Sequence, residues 1–225
     1  MAKAKKQIRT SAQTRQTKTG FDIDKFIPAK YQVPAMLVII LLVFLAYFAP
    51  LYFGGKTFQS GDIVTSKSME TFLAADRDGF TLWNPYVFCG MPAYALAVGF
   101  KSFNLLFVAI TSVRAVFEAP FTADYAKWTF YLLLLSYTMF FFMRERTKNN
   151  LVALFSALTT SFSTGLIVFL YIGHVTKLTS LCMYPLIFLL LLKLQKRISF
   201  LDFMILIVTL YIFIMGWHVQ IIFYT

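Results

Sequence analysis

Asp62 is the residue of this chain best placed to do chemistry. It follows Gly61, between a long apolar run and a segment with the spacing of an amphipathic helix. A carboxylate there can act as a general base towards a hydroxyl, or can cap the next helix by accepting a backbone N–H. The run Asp76-Arg77-Asp78 can bind a cation or a sugar hydroxyl, or form local pairs at a solvated helix end. Trp83-Asn84-Pro85-Tyr86 can stack a sugar or a prenyl chain, and equally suits an interfacial aromatic belt. His174 and Lys177 can offset the charge of a phosphate, against the plainer roles of a capping His and a snorkelling Lys. His218 and Gln220 add polar groups near the end of the chain.

The elements that must position these residues are membrane helices. The 225-residue chain is 59% hydrophobic and 14% charged, where a soluble domain carries about 25% charged residues. Its apolar residues come in long runs that a soluble core could hardly absorb, so lipid is the expected solvent. The net charge of +11 does not point to nucleic acid, because the cations cluster at the start and in two short hydrophilic turns. Cys89 and Cys182 fall in a loop and in a span, so no disulfide is expected. The two histidines, His174 and His218, supply no metal-ligand spacing with them. A cleavable signal peptide is not expected, since the first apolar run begins only near Val33.

The pattern predicts an all-α, polytopic transmembrane bundle. Residues 1–32 form a basic, disordered cytoplasmic arm, and 33–225 form the membrane domain. Spans are expected over 34–53, 124–143, 151–172, 178–192 and 200–220. All but 178–192, which is 15 residues long, are close to the ~20 residues a bilayer core requires. Pro34 suits a first helical turn, Gly54-Gly55 should break the first helix, and Pro185 should kink the fourth. Residues 54–121 form a large outer loop. Within it, 66–78 reads as an amphipathic helix, and 103–117, which carries Arg114, as a helix lying in the interface.

Orientation follows from the cations. The arm, residues 144–148 and residues 193–197 hold 14 of the 21 Lys and Arg residues in short segments. These belong on the cytoplasmic side, which puts Asp62, His174, Lys177, His218 and Gln220 at the opposite face. The chain stops inside or just past the fifth span, so it reads as the N-terminal part of a longer protein.

Four ordered motifs carry a resemblance. They are Gly61-Asp62, then Leu82-Trp83-Asn84-Pro85 leading to Cys89-Gly90-Met91-Pro92-Ala93-Tyr94, then Gly173-His174-Val175-Thr176-Lys177 with Met183-Tyr184-Pro185, and last Trp217-His218-Val219-Gln220. From Pro34 onward the chain resembles the N-terminal part of the YfhO-like bacterial membrane proteins. The family commonly has Gly at the position of Cys89 and Pro at that of Val219. These proteins are in turn similar to GT-C glycosyltransferases, polytopic inner-membrane enzymes that take a sugar from a polyprenyl-phosphate carrier on the outer face. The resemblance implies a GT-C-like fold with a cell-envelope acceptor. Asp62 would be the base, with Asp76, Arg77, Trp83, Asn84, His174, Lys177, His218 and Gln220 around the substrates. A divalent cation could assist, although no ligand cluster in the sequence demands one.

Two other classes stay open. A transporter or flippase predicts ionisable residues at mid-span and broken helices at the bilayer centre, and the expected spans have almost no charge there. A non-catalytic subunit of an envelope complex predicts that Asp62 only caps a helix.

Overall fold

The structure is a computed structural model. It describes residues 26–58, 61, 64, 83–85, 89–92, 108–109, 112, 115–116, 119, 126–215 and 219–223. Its elements are α1 (Ala29–Tyr47), α2 (Ala49–Tyr52), β1 (Trp83–Asn84), β2 (Met91–Pro92), α3 (Ala126–Thr147), α4 (Asn150–Ser161), α5 (Thr164–Ile172), α6 (Val175–Leu181), α7 (Tyr184–Lys196), α8 (Phe200–Met215) and α9 (Val219–Phe223).

The chain divides into two compact units, residues 1–33 and 34–225. In the first, Tyr31 N–H donates to the Pro28 carbonyl at 2.8 Å and the Gln32 amide donates to the Ile27 carbonyl at 3.1 Å. These bonds start α1 at Ala29, ahead of the expected Pro34, which lies inside the helix. Pro28, with its fixed φ, sits at the helix entrance that Pro34 was expected to mark. Of the arm expected over 1–32, residues 1–25 lie outside the described residues, and Ala29 to Gln32 are already helical.

In the second unit, α3 is the central helix and packs against α4, α6 and α7. The reason lies in its small and hydroxylated residues. Thr129, Leu132, Leu133, Ser136 and Phe140 recur at helical spacing and are all buried. α4 answers with Ala153, Ala157 and Ser161, all fully buried and four residues apart. Small side chains at this spacing let two backbones approach closely, which is how helices associate where lipid removes the hydrophobic drive. α1 contributes its own stripe, Met36, Ile40 and Phe44, also four residues apart and buried, and Phe48 just past its end continues it.

α1 runs antiparallel to α3. The Tyr137 hydroxyl donates to the Leu37 carbonyl at 3.4 Å midway along both helices, and past the end of α1 the Tyr52 hydroxyl of α2 bonds to that of Thr129 in the first turn of α3. α3 and α7 run parallel: Thr138 reaches the Cys182 carbonyl, Phe142 meets Phe188 and Glu145 pairs with Lys196.

The expected third span is two helices, α4 and α5, bent by 40°. Asn149 caps α4 by accepting from Leu151 N–H at 2.9 Å and Val152 N–H at 3.2 Å. At the bend the Phe162 ring packs 4.8 Å from Phe44 and 4.9 Å from Tyr47. The expected fourth span breaks at Cys182 and Met183, and Pro185 opens α7 in its first turn. A proline there costs no bond, because early helical N–H groups have no intrahelical partner.

Ala29–Tyr47 and the run Lys177–Lys196 are long and apolar enough to cross a membrane, and α4 with α5 makes a third if the bent pair is one span. Of the five spans expected, two are thus not of that class among the described residues. The apolar stretch Phe200–Ile214 is shorter. α3 carries Arg144, Glu145 and Arg146 near its C-terminus. Yet α8 is apolar on nearly every side while Phe200, Leu201, Phe203, Ile205, Ile207 and Val208 are exposed. A helix of that character belongs in an apolar surrounding.

Candidate functional site

Phe169 organises the end of the bundle where α5 gives way to α6. α5 ends at Gly173, whose φ of 94° is left-handed and favours glycine. In that turn the N–H groups of Gly173 and His174 both donate to the Phe169 carbonyl, at 3.1 and 2.9 Å. The fold back brings the His174 imidazole edge-on to the Phe169 ring, with centroids 6.2 Å apart. His174 then stands at the N-cap of α6 without a side-chain cap bond. One turn on, the Lys177 N–H donates to the His174 carbonyl at 3.1 Å, and its ammonium lies 5.0 Å from the centre of the same Phe169 ring. A cation over an aromatic face is held by the ring quadrupole, worth about 0.5–1 kcal/mol at an exposed site. His174 and Lys177 are both half-buried. They therefore share one aromatic partner at one helix turn.

Phe169 was not legible as a site residue, because a phenylalanine in an apolar helix reads as packing. The signal was its position: one turn before a Gly-His pair, where the left-handed turn returns the chain to it.

The start of the 54–121 loop reaches the same place. The Phe58 ring meets Tyr171 edge-on, with centroids 6.0 Å apart. Beside Phe58, where α1 ends, lies a cavity of about 350 Å³, lined by Tyr47, Phe48, Pro50, Leu51, Lys56, Thr57, Phe58 and Ile167. Its walls are aromatic and aliphatic, and Lys56 supplies its charge.

Trp83 belongs to a short antiparallel pairing of β1 with β2, Trp83 opposite Pro92 and Asn84 opposite Met91. The turn runs through Cys89 at φ 61° and Gly90 at φ 117°. A Cβ on Gly90 would come within 2.5 Å of the Trp83 ring. Trp83 therefore lies against the bare Gly90 backbone while remaining 55% exposed.

Asp62, Asp76, Arg77 and His218 lie outside the described residues, as does the expected helix over 66–78. Asn84 and Gln220 are described in their backbone only, in β1 and α9. Of the expected interfacial helix over 103–117, residues 108–109, 112 and 115–116 are described and helical. Val116 is 76% exposed there. Cys89 is exposed and Cys182 buried, and both are free thiols. Among the described residues no three His, Cys, Asp or Glu side chains converge as a cation site. No family model matches the chain, nor does any curated protein or solved structure.

Proposed function

We propose that this chain is part of a GT-C-like membrane glycosyltransferase of the YfhO-like kind. It would sit in a bacterial inner membrane with its basic arm in the cytoplasm. Five helical crossings and a large outer loop with interfacial helices complete that reading. The observation that carries it is the contact of Phe58 with Tyr171. Phe58 precedes Asp62 by one helical turn's worth of chain, and Tyr171 precedes His174 by three residues. A base on one segment and phosphate-neutralising groups on the other are what transfer from a lipid phosphate requires.

In the step proposed, Asp62 takes the proton of an acceptor hydroxyl while its oxygen attacks the anomeric carbon. The bond from that carbon to the lipid phosphate breaks, and the configuration inverts. The phosphate leaves with the electron pair, and Lys177, His174 or Arg77 offsets the charge that collects on it. The cavity beside Phe58 offers apolar walls to the first prenyl units and the Lys56 ammonium to the phosphate. Trp83, open on one face, suits a sugar ring. A divalent cation could share the charge, but no step is assigned to one.

The reading is tested with Asp62→Asn. Sugar transfer from a polyprenyl-phosphate donor should vanish while the protein reaches the membrane at its normal level. Unchanged transfer would leave Asp62 a helix cap and favour a scaffold. Orientation is tested separately by single cysteines replacing Asp62 and Lys148, probed in intact cells with an impermeant maleimide. Labelling is expected at position 62 only, and labelling at 148 alone would reverse the topology.

A further inference from the structure

The geometry points to a second site, at the opposite end of the bundle, that binds one anionic glycerophospholipid between α3 and α7. A groove of about 430 Å³ is lined by Phe142 and Arg146 from α3 and by Phe188, Leu191, Leu192 and Gln195 from α7. The spacing explains the groove. Residues four apart on α3, and three, four and seven apart on α7, fall on one face of each helix. Because the two helices run parallel, both faces open along the same line. The α7 residues span about 10 Å of helix axis, enough to seat the upper part of an acyl chain.

Its chemistry is asymmetric. The walls are apolar, and Phe188 and Leu191 are about half exposed. All the polarity lies at one end, in Arg146 and Gln195. Around that end stand Arg144, Lys148, Lys193, Lys196 and Arg197. Glu145 takes up Lys148 and Lys196, and Arg144 Nε donates to Asn150 Oδ1 at 2.9 Å. The Arg146 guanidinium has no side-chain partner among the described residues, nor do the Lys193 ammonium and the Arg197 guanidinium. Asp202, in the first turn of α8, leaves the rim strongly cationic. An unpaired guanidinium at the mouth of an apolar groove matches a phosphate joined to acyl chains, because the fork binds two phosphate oxygens and the groove takes the chain. A further helix would match the groove only if it brought a carboxylate or its C-terminal carbonyls to Arg146.

The site rests on the membrane placement proposed above and is independent of sugar transfer. It is tested with the full chain, purified in detergent, titrated with phosphatidylglycerol and with phosphatidylcholine of identical acyl chains. Binding is read by native mass spectrometry. Phosphatidylglycerol should bind about fivefold more tightly, the effect of one basic residue at a lipid headgroup. Arg146→Gln should remove that preference, Leu191→Trp should weaken both lipids, and Lys148→Gln should change neither. Millimolar inorganic phosphate should not displace the lipid. Equal binding of the two lipids, a preference that survives Arg146→Gln, or displacement by phosphate would each overturn the site. Should Arg146→Gln aggregate, Leu191→Trp decides alone, since an unfilled role for the groove predicts no change. Asp62→Asn protein should keep the lipid preference whatever its transfer activity, which separates this test from that of the enzyme.

Discussion

Glu145 Oε1 accepts the Lys196 ammonium at 2.5 Å and the Lys148 ammonium at 2.9 Å. The pairing joins the last turn of α3 to the last turn of α7. These are the two short basic segments expected from their charge to share one side of a membrane. One carboxylate thus ties together two basic helix ends that would otherwise repel.

A pH dependence follows. The two ammonium groups hold the Glu145 carboxyl down to about 2, from an ordinary value near 4.5. A carboxylate depressed in the folded state contributes stability above its unfolded value and loses it as pH falls through the folded one. The melting temperature in detergent should therefore drop between about pH 4.5 and pH 2. Glu145→Gln should show a shallower drop over that window. At neutral pH the variant should differ little, because solvent and salt screen so exposed a pair. Parallel curves for the two proteins would mean the pairing does not persist in solution.

Much of the bundle was legible because its causes are local. Pro185 lacks an N–H, so the break just before it follows from covalent structure. Gly173 marked the end of α5 for the same kind of reason. The bend between α4 and α5 was not legible. No proline or glycine stands at Phe162 or Ser163, and the hydroxylated stretch Thr159 to Thr164 with Gly165 suits close helix packing as well as a break. The bend coincides with contacts of Phe162 to Phe44, Tyr47 and Phe48, more than a hundred residues away in sequence. At the site, His174 and Lys177 stood out as polar residues among apolar ones. Phe169, which touches both, is itself apolar and gave no such contrast.

The small face of α4 predicts a steric limit. Ala153 and Ala157 are fully buried, on the helix that packs most extensively on α3. Ala157→Leu adds a branched side chain where none fits and should cost about 1–3 kcal/mol. Ala157→Gly removes one methyl and should cost about 1 kcal/mol, mainly through helix propensity. Thermal or chaotrope unfolding in detergent measures both. A leucine variant as stable as the parent would show that α3 and α4 lie further apart than described.

Gly90 predicts a local defect of another kind. Its φ of 117° and the Trp83 ring within 2.5 Å of any Cβ both disfavour a side chain. Gly90→Ala should dislodge Trp83, exposing the β1–β2 turn to protease while the helices keep their melting temperature. If the site reading holds, the Michaelis constant for the sugar donor should rise as well. Protection equal to the parent would mean the turn adapts without the tryptophan.

Phe169 is the positioning residue of the proposed site, and a double-mutant cycle tests that role. In the proposed step, Lys177→Gln removes a charge that matters most as the lipid phosphate departs. It should lower kcat by about 100-fold and change the Michaelis constant little, as for loss of one group that stabilises developing charge. Phe169→Ala leaves the ammonium in place but frees it from the ring. It should lower kcat by about five-fold, in line with the strength of a cation–π contact. Because the phenylalanine is argued to act through the lysine, the double variant should be no slower than Lys177→Gln alone. Release of polyprenyl phosphate gives the rate in each case. Losses that simply multiply would mean the ring and the ammonium act independently, and the contact at 5.0 Å would then be packing alone.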